Sequence, residues 1–405
     1  MEVRVLLGAN LMKANLYFFI IFFLGLILLI LNFKRETPNN EFLIVSYPQF
    51  IKNYQKVKVV NLKNKENYFL YLNREEEIIL GEKLVLEDFE INESKIYFPK
   101  ILRKEKANIL FEISFKLKNF YDEKIKKNLP WPEENILRGL IWGEKIEDSN
   151  LYKNFQKTGT AHILVASGSN LVLISSIFLS FLRNLKLDYK LSLIFSVFVL
   201  SFYLFLVGFE GSILRAFIFA LFLILIKGFA GRIPLRRNLL LTILVILLII
   251  FPKEIFEAGT ILSFLSFTGI IYLSPFLKER LNFLKSDYLK EIISQSFSSF
   301  ILVFPFTGYL FKSFNPFSFL FNLPILLFLP HLFILGISFS FLPYLSFTLY
   351  PPLFFIKKIV EIGNYLPEIN LILPSWFYLV FYFLTFIVIY KINKNENVEF
   401  NFNLR

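Results

Sequence analysis

The sequence predicts a polytopic α-helical membrane protein with a small exported β domain, and three observations carry that expectation. Hydrophobic residues make up 55% of the 405 positions and charged residues 19%, with a mean hydropathy of +0.56; a single soluble core needs no such excess. Apolar runs long enough to span a bilayer, about 20 residues each, recur along most of the chain. Between them the basic residues alternate by loop.

The runs fall near 16–32, 162–182, 190–207, 213–229, 238–251, 258–277, 290–311, 317–342 and 372–390. The run near 238 is short, and Pro324 and Pro330 interrupt the one at 317–342. If each run from 162 onward crosses once, loops 183–190, 227–237 and 278–290 carry Arg183, Lys186, Lys190, Lys227, Arg232, Arg236, Arg237, Lys278, Arg280, Lys285 and Lys290, whereas the intervening loops carry only Lys253 and Lys312. The positive-inside rule makes the first set cytoplasmic, so the 162–182 segment enters from outside. The net charge of +12 is thus largely a statement about topology.

Residues 1–35 read as an uncleaved anchor. The run LYFFIIFFLGLILLILN at 16–32 is long, and no small-residue cleavage site precedes Lys34 and Arg35. Arg4 and Lys13 favour an inside N-terminus, which exports residues 36–115. That stretch changes to short β-rich runs separated by turn residues: QKVKVVNL, ENYFLYLN, KLVLEDFEI, SKIYF and ANILFEISF. A small β-barrel or sheet fits. Acids concentrate over 66–93 and lysines and arginines over 95–127, which makes either a solvated surface or a binding face. In ENYFLYLN, Phe69 and Tyr71 alternate with Tyr68, Leu70 and Leu72, so one set faces the core and the other outward. Residues 116–157 read as a helical linker broken by Pro130 and Pro132, and ENILRGLIWGEKI suits an amphipathic interfacial helix. The transmembrane core follows over 158–394, with a polar tail at 395–405.

Chemistry is constrained by what is rare. There is no cysteine, and the histidines are His162 and His331, so thiolate chemistry is excluded and neither a metal nor a cofactor is expected. No Walker A sequence, nucleophile elbow or carboxylate cluster of the kind that holds catalytic Mg²⁺ is present. The informative stretch is TGTAHILVASGSNLVLISSIFLSFL, 158–182, an apolar run broken by Ser167, Gly168, Ser169 and Asn170. Unpaired backbone at bilayer depth survives only where protein buries it or a wet cavity solvates it. The break is therefore either a polar-lined conduit or a kink in which Ser167 and Asn170 satisfy neighbouring carbonyls. His162 has no acidic partner for a triad. In GFEGSILRAF, 208–217, Glu210 and Arg215 stand at the outer start of a span, where Arg215 either snorkels to the interface or lines a vestibule. Asn322 beside Pro324 leaves the same choice between lining and kink.

These residues resemble, in order, the signatures of the ComEC family of inner-membrane channels for single-stranded DNA in natural transformation. GLIWGEKIEDSNLYKNFQKTGTAHILVASGSNLVL, 139–173, is similar to the family's Leu-Leu-x-Gly stretch and its Gly-x-x-His-Leu-Leu-Ala-x-Ser-Gly signature, placing Gly143, Gly159, His162, Ala166, Ser167 and Gly168. GSILRAF resembles the Ser-x-x-Arg-Ala element at Ser212, Arg215 and Ala216, with Gly231 and Arg232 trailing it. FPKEIFEAGTILSFLSFTGI, 251–270, and FLFNLPILLFLP, 319–330, are similar to two later blocks. The chain departs from the family at Ser169 and Asn170, where many members have Leu-His, and at Phe251, where Asp is usual. It ends at Arg405 without the metallo-β-lactamase-like domain of many members, so no nuclease or other enzymatic activity is expected.

The resemblance implies a channel core at 158–394 and an exported OB-like domain at 36–115, with the β domain outside the cytoplasmic membrane. It implies single-stranded DNA as substrate along His162, Ser167, Gly168, Asn170, Glu210, Ser212, Arg215 and Asn322, with Phe69 and Tyr71 as candidates for base stacking. Membrane lipids and a separate DNA receptor, nuclease and cytoplasmic motor ATPase are the implied partners; the oligomeric state is left open. A transporter or exporter of another polar substrate and a non-transporting membrane scaffold are the rival readings. Transport predicts one hydrated path through 162–170, Arg215 and Asn322, whereas a scaffold predicts dry packing there.

Overall fold

A computed structural model describes residues 39–393, apart from Lys52, Lys65, 165–167, Glu210, 231–242, 245–256, 312–314, Pro316, 339–343, Leu345 and 366–373. The expected anchor at 16–32, nearly all of the run at 238–251, and Ser167 and Glu210 lie outside the described residues.

Strands β1 (Glu41–Ile44), β2 (Gln49–Ile51), β3 (Tyr54–Asn61), β4 (Asn67–Asn73), β5 (Lys83–Glu87), β6 (Ile91–Asn92), β7 (Lys95–Tyr97) and β8 (Lys100–Glu105) make one sheet. Its order is β6-β7-β4-β3-β1-β5-β8, with β2 added to β3, and it curls into a half-barrel. The β4–β7 pair is parallel, and the long β3–β4 pair is an antiparallel hairpin. Period-2 alternation decides the faces. Phe42, Ile44, Val57, Val59, Tyr68, Leu70, Leu72, Leu84, Leu86 and Ile96 fill the concave core, which leaves Lys56, Lys58, Phe69 and Tyr71 on the outer face.

The sheet ends ten residues before the expected boundary, at Glu105. ANILFEISF, expected as a strand, is instead the start of helix α1 (Ile109–Asn128), because the Asn108 side chain accepts from Leu110 N at 3.4 Å and caps the helix. From there the buried positions Ser114, Lys118, Tyr121 and Ile125 recur at helical spacing.

Helices α2 (Glu133–Trp142) and α3 (Ser149–Lys157), a 3-10 turn at Ala161–Ile163, and helices α4 (Gly168–Asn184), α5 (Tyr189–Val207) and α6 (Gly211–Ala230) follow. Then come α7 (Ala258–Tyr272), α8 (Ser274–Arg280), α9 (Asp287–Phe311), α10 (Ser318–Ser338), α11 (Ser346–Glu361) and α12 (Ser375–Asn393). Among the described residues two helices, over Asp287–Leu310 and Ser318–Ser338, are long and apolar enough to cross a membrane. The pair α7–α8, bent by 45° at Leu273, makes a third if it is taken as one span. The helix at Ser346–Glu361 was not anticipated, since Pro351 and Pro352 lie inside it. Conversely α10 runs helical through Pro324 and Pro330, where the sequence led us to expect an interruption.

Small residues bring α7 and α9 close together. Gly269 of α7 lies against the Ser298 carbonyl of α9 with no room for a Cβ. The hydroxyls of Ser266 and Ser299 are 2.7 Å apart, and those of Ser274 and Ser294 are 3.0 Å apart. The seryl blocks thus hold two backbones together, as small residues do between apolar helices.

The expected interfacial helix is the clearest correction. All ten residues of α2 are buried, Glu133, Glu134, Asn135 and Arg138 among them. Its polar side pairs with charged residues of α1 and α11 and with the segment after α2, so periodicity alone could not distinguish that side from a solvated one. Ile136, Leu137, Leu140 and Ile141 join the main helical core with Leu200, Tyr203, Ile325, Leu329 and Leu353.

Candidate functional site

The β domain is fastened to the helices at the α5–α6 junction. Phe209 N donates to Val45 O at 3.0 Å, and Tyr47 Oη donates to Phe205 O at 3.0 Å. Gly208 turns the chain there with φ +103, a left-handed conformation that favours glycine, and a Cβ on it would meet Ser46 and the Tyr47 ring. Phe111 of α1 packs on Phe205 and Phe209, with ring centroids 5.1 and 5.7 Å away.

This docking encloses a cleft of about 330 Å³ between the outer face of the sheet and the N-terminus of α6. Ser46, Gln49, Lys56, Lys58 and Phe69 line one side, and Gly211, Ser212, Arg215 and Glu257 the other. Lys58 is paired in register with Phe69, and Lys56 with Tyr71. Lys56 Nζ lies 3.8 Å above the Phe69 ring, close enough for cation–π attraction. Phe69 is 37% exposed. Tyr71 continues the outward row and stacks on Tyr97 at 4.7 Å, with Tyr54 beside it at 5.6 Å. Across the cleft Arg215 is 4% exposed, and its guanidinium lies beside Gly259, where a Cβ would sit 3.5 Å from Nη2. Among the described residues, Lys56, Lys58 and Arg215 line the cleft with Glu257 at the N-terminal end of α6, a lining that suits an anionic group next to a flat apolar one.

Of the residues expected along one path, this cleft gathers Ser212 and Arg215, together with Phe69 of the two base-stacking candidates. Ser167 and Glu210 lie outside the described residues, and His162, Gly168, Asn170 and Asn322 lie elsewhere. His162 sits exposed in the 3-10 turn with Nδ1 3.0 Å from Gly159 O. Gly168 is the first residue of α4. Asn170 is buried, and its Nδ2 donates to Leu140 O at 3.1 Å, while Tyr203 Oη donates to Ile141 O at 2.6 Å. Both bonds satisfy carbonyls in the last turn of α2, which the helix cannot pair for itself. Asn170 therefore holds α2 in place, in keeping with the carbonyl-satisfying alternative. Gly159, with φ +71, lets the motif segment press on Ser318 at the start of α10, where a Cβ would overlap the Ser318 Cβ. One turn further, Asn322 keeps a buried Oδ1 without a hydrogen-bond partner among the described residues.

Sequence reasoning missed Ser46, Gln49, Lys56, Lys58 and Glu257. The signal for the two lysines was present in QKVKVV, whose alternation with Val57 and Val59 puts them on one face. Nothing local announced the others. Among the described residues no group of three or more His, Asp and Glu side chains is placed to hold a metal ion.

Comparison with known proteins bears on the helical part. Residues 140–395 match the family described as Competence protein. The chain is 35% identical over 244 residues to Uncharacterized protein MG316 of Mycoplasma genitalium, a match covering 58% of this chain and 60% of that protein's length. No solved structure matches. With the family match extending over more than half of its length, and through the motif segment, Ser212, Arg215 and Asn322, the chain belongs to the Competence protein family, which is membrane-associated and involved in DNA uptake.

Proposed function

We propose that the protein is a channel for single-stranded DNA in the cytoplasmic membrane, with the β domain outside, and that the strand enters at the cleft between the sheet and α6. The observation that carries this reading is the juxtaposition of Phe69 and Lys56 with Ser212 and Arg215 across one cleft. A single strand offers flat bases and a phosphate backbone together, and aromatic platforms flanked by cations take both. Duplex DNA hides its base faces, so the outward row Phe69, Tyr71 and Tyr97 favours the unpaired form. On this reading the DNA receptor, any nuclease and the motor ATPase are separate proteins, and this chain supplies the path.

The test is binding of a fluorescent oligonucleotide to the full chain in nanodiscs, followed by uptake of labelled DNA in a deletion strain carrying each variant. Phe69→Ala is expected to weaken binding by about 1–3 kcal/mol, the usual contribution of one stacked base. Arg215→Gln is expected to lower the slope of log affinity against log salt by about one phosphate contact. Folded variants that bind and import at the wild-type level would show that the strand does not enter here. Equal affinity for a non-nucleic polyanion would favour a transporter of another polar substrate.

A further inference from the structure

The charged side chains of α1 and α2 form a buried network that the cleft does not use. Lys118 and Asp122 of α1, Glu134 and Arg138 of α2, and Glu144 beyond the end of α2 have side-chain exposures between 7% and 19%. Lys118 Nζ is 2.7 Å from Glu144. Arg138 lies 3.2 Å from Glu134 and 3.6 Å from Asp122, and also pairs with Glu144. Behind them Glu133 and Lys357 of α11 make a separate neutral pair. On the β-domain side Lys118 Nζ sits 4.2 Å above the Tyr47 ring, and Tyr47 is the residue hooked onto Phe205 O.

Three carboxylates thus face two cations. One negative charge is left over in a site nearly closed to water, where an uncompensated ion costs several kcal/mol, and the remedy is a proton. Asp122 and Glu144 share the Arg138 guanidinium, and Asp122 Oδ1 is buried without a hydrogen-bond partner among the described residues. The two differ in their surroundings. Burial, reinforced by neighbouring Glu144, pushes Asp122 up to about 7. Burial alone would raise Glu144 as well, but Lys118 and Arg138 outweigh it and hold that carboxyl down at about 2.

We propose that this network is a proton-binding site that controls the seating of the β domain, with one proton held on Asp122 against Glu144 and Lys118 shared between Glu144 and the Tyr47 ring. Loss of the proton draws Lys118 toward Asp122 and away from Tyr47, which loosens the hook on Phe205. The site stands without the uptake reading. Only its consequence for the cleft, which Ser46 next to Tyr47 lines, rests on that reading.

The experiment uses the full chain in nanodiscs without DNA, so its failure is separate from failure of the uptake proposal. An acid whose pKa is raised by folding binds more protons in the folded state, so the stability it contributes is present at low pH and lost as pH rises through about 7. The wild-type thermal midpoint is expected to fall by several degrees between about pH 5 and about pH 8. Spin labels replacing Lys63 and Lys153 are expected to move apart over the same interval. Asp122→Asn, which mimics the protonated acid, is expected to abolish both changes. If it fails to fold, Glu144→Gln also balances the charges and takes its place, with the same expected loss. Either folded variant keeping the wild-type pH slope, or a wild type showing neither change, overturns the proposal.

Discussion

Removing the Asn170 amide tests whether the family's motif segment builds the path or supports it. In Asn170→Ala the bond to Leu140 O is lost, and a carbonyl in the last turn of a helix buried on every side is left without a partner. The α5 helix approaches on that side through Tyr203, and Tyr203 Oη already serves the next carbonyl, so no neighbour is free to replace the amide. An unpaired buried acceptor costs about 1–3 kcal/mol, and Tyr203→Phe is expected to cost about 1 kcal/mol on the same grounds. The two side chains serve adjacent carbonyls in one turn of α2, so the double variant is expected to depart from additivity by roughly 0.5 kcal/mol or more. Equilibrium unfolding of the reconstituted protein measures all three. DNA uptake per folded molecule is expected to stay at the wild-type level in Asn170→Ala, since the side chain faces α2. A loss below roughly 0.5 kcal/mol, or wild-type stability combined with abolished uptake, would refute the supporting role and return Asn170 to the path.

Two further outcomes are expected beyond the stacking, salt-slope and pH experiments above. Gly269→Val is expected to force α7 from α9, because the Cβ would overlap the Ser298 carbonyl; the reconstituted protein loses about 2 kcal/mol or more, and an unchanged unfolding midpoint would show that the pair is not packed as described. Single cysteines at Lys63 and Asn282, both exposed and introduced into a chain without cysteine, report topology through an impermeant thiol reagent on intact cells. Labelling at 63 and not at 282 is expected, and the reverse pattern would invert the orientation.

Several features were legible because they depend on short-range periodicity. Alternation in QKVKVV and NYFLYLN determined the inner and outer faces of β3 and β4 once one face had to be buried, and the long apolar runs at 190–207, 290–311 and 317–342 announced helices whatever their neighbours. Local capping was legible too, yet the alternating apolar residues of ANILFEISF masked Asn108, and tandem prolines concealed α11. The tertiary structure alone decided what the polar residues do. Glu133, Glu134 and Arg138 look like the solvated stripe of an interfacial helix until Lys118, Glu144 and Lys357 arrive from distant segments to neutralise them. Asn170 has the same polar amide whatever it faces, and its bond to Leu140 O exists only because α2 approaches it. Phe69 and Arg215 share a cleft because Tyr47 and Val45 fasten the sheet to the α5–α6 junction. Periodicity records which side of an element avoids water, but the partner of a polar group is set by contacts between segments far apart in the chain, and those exist only in the folded molecule.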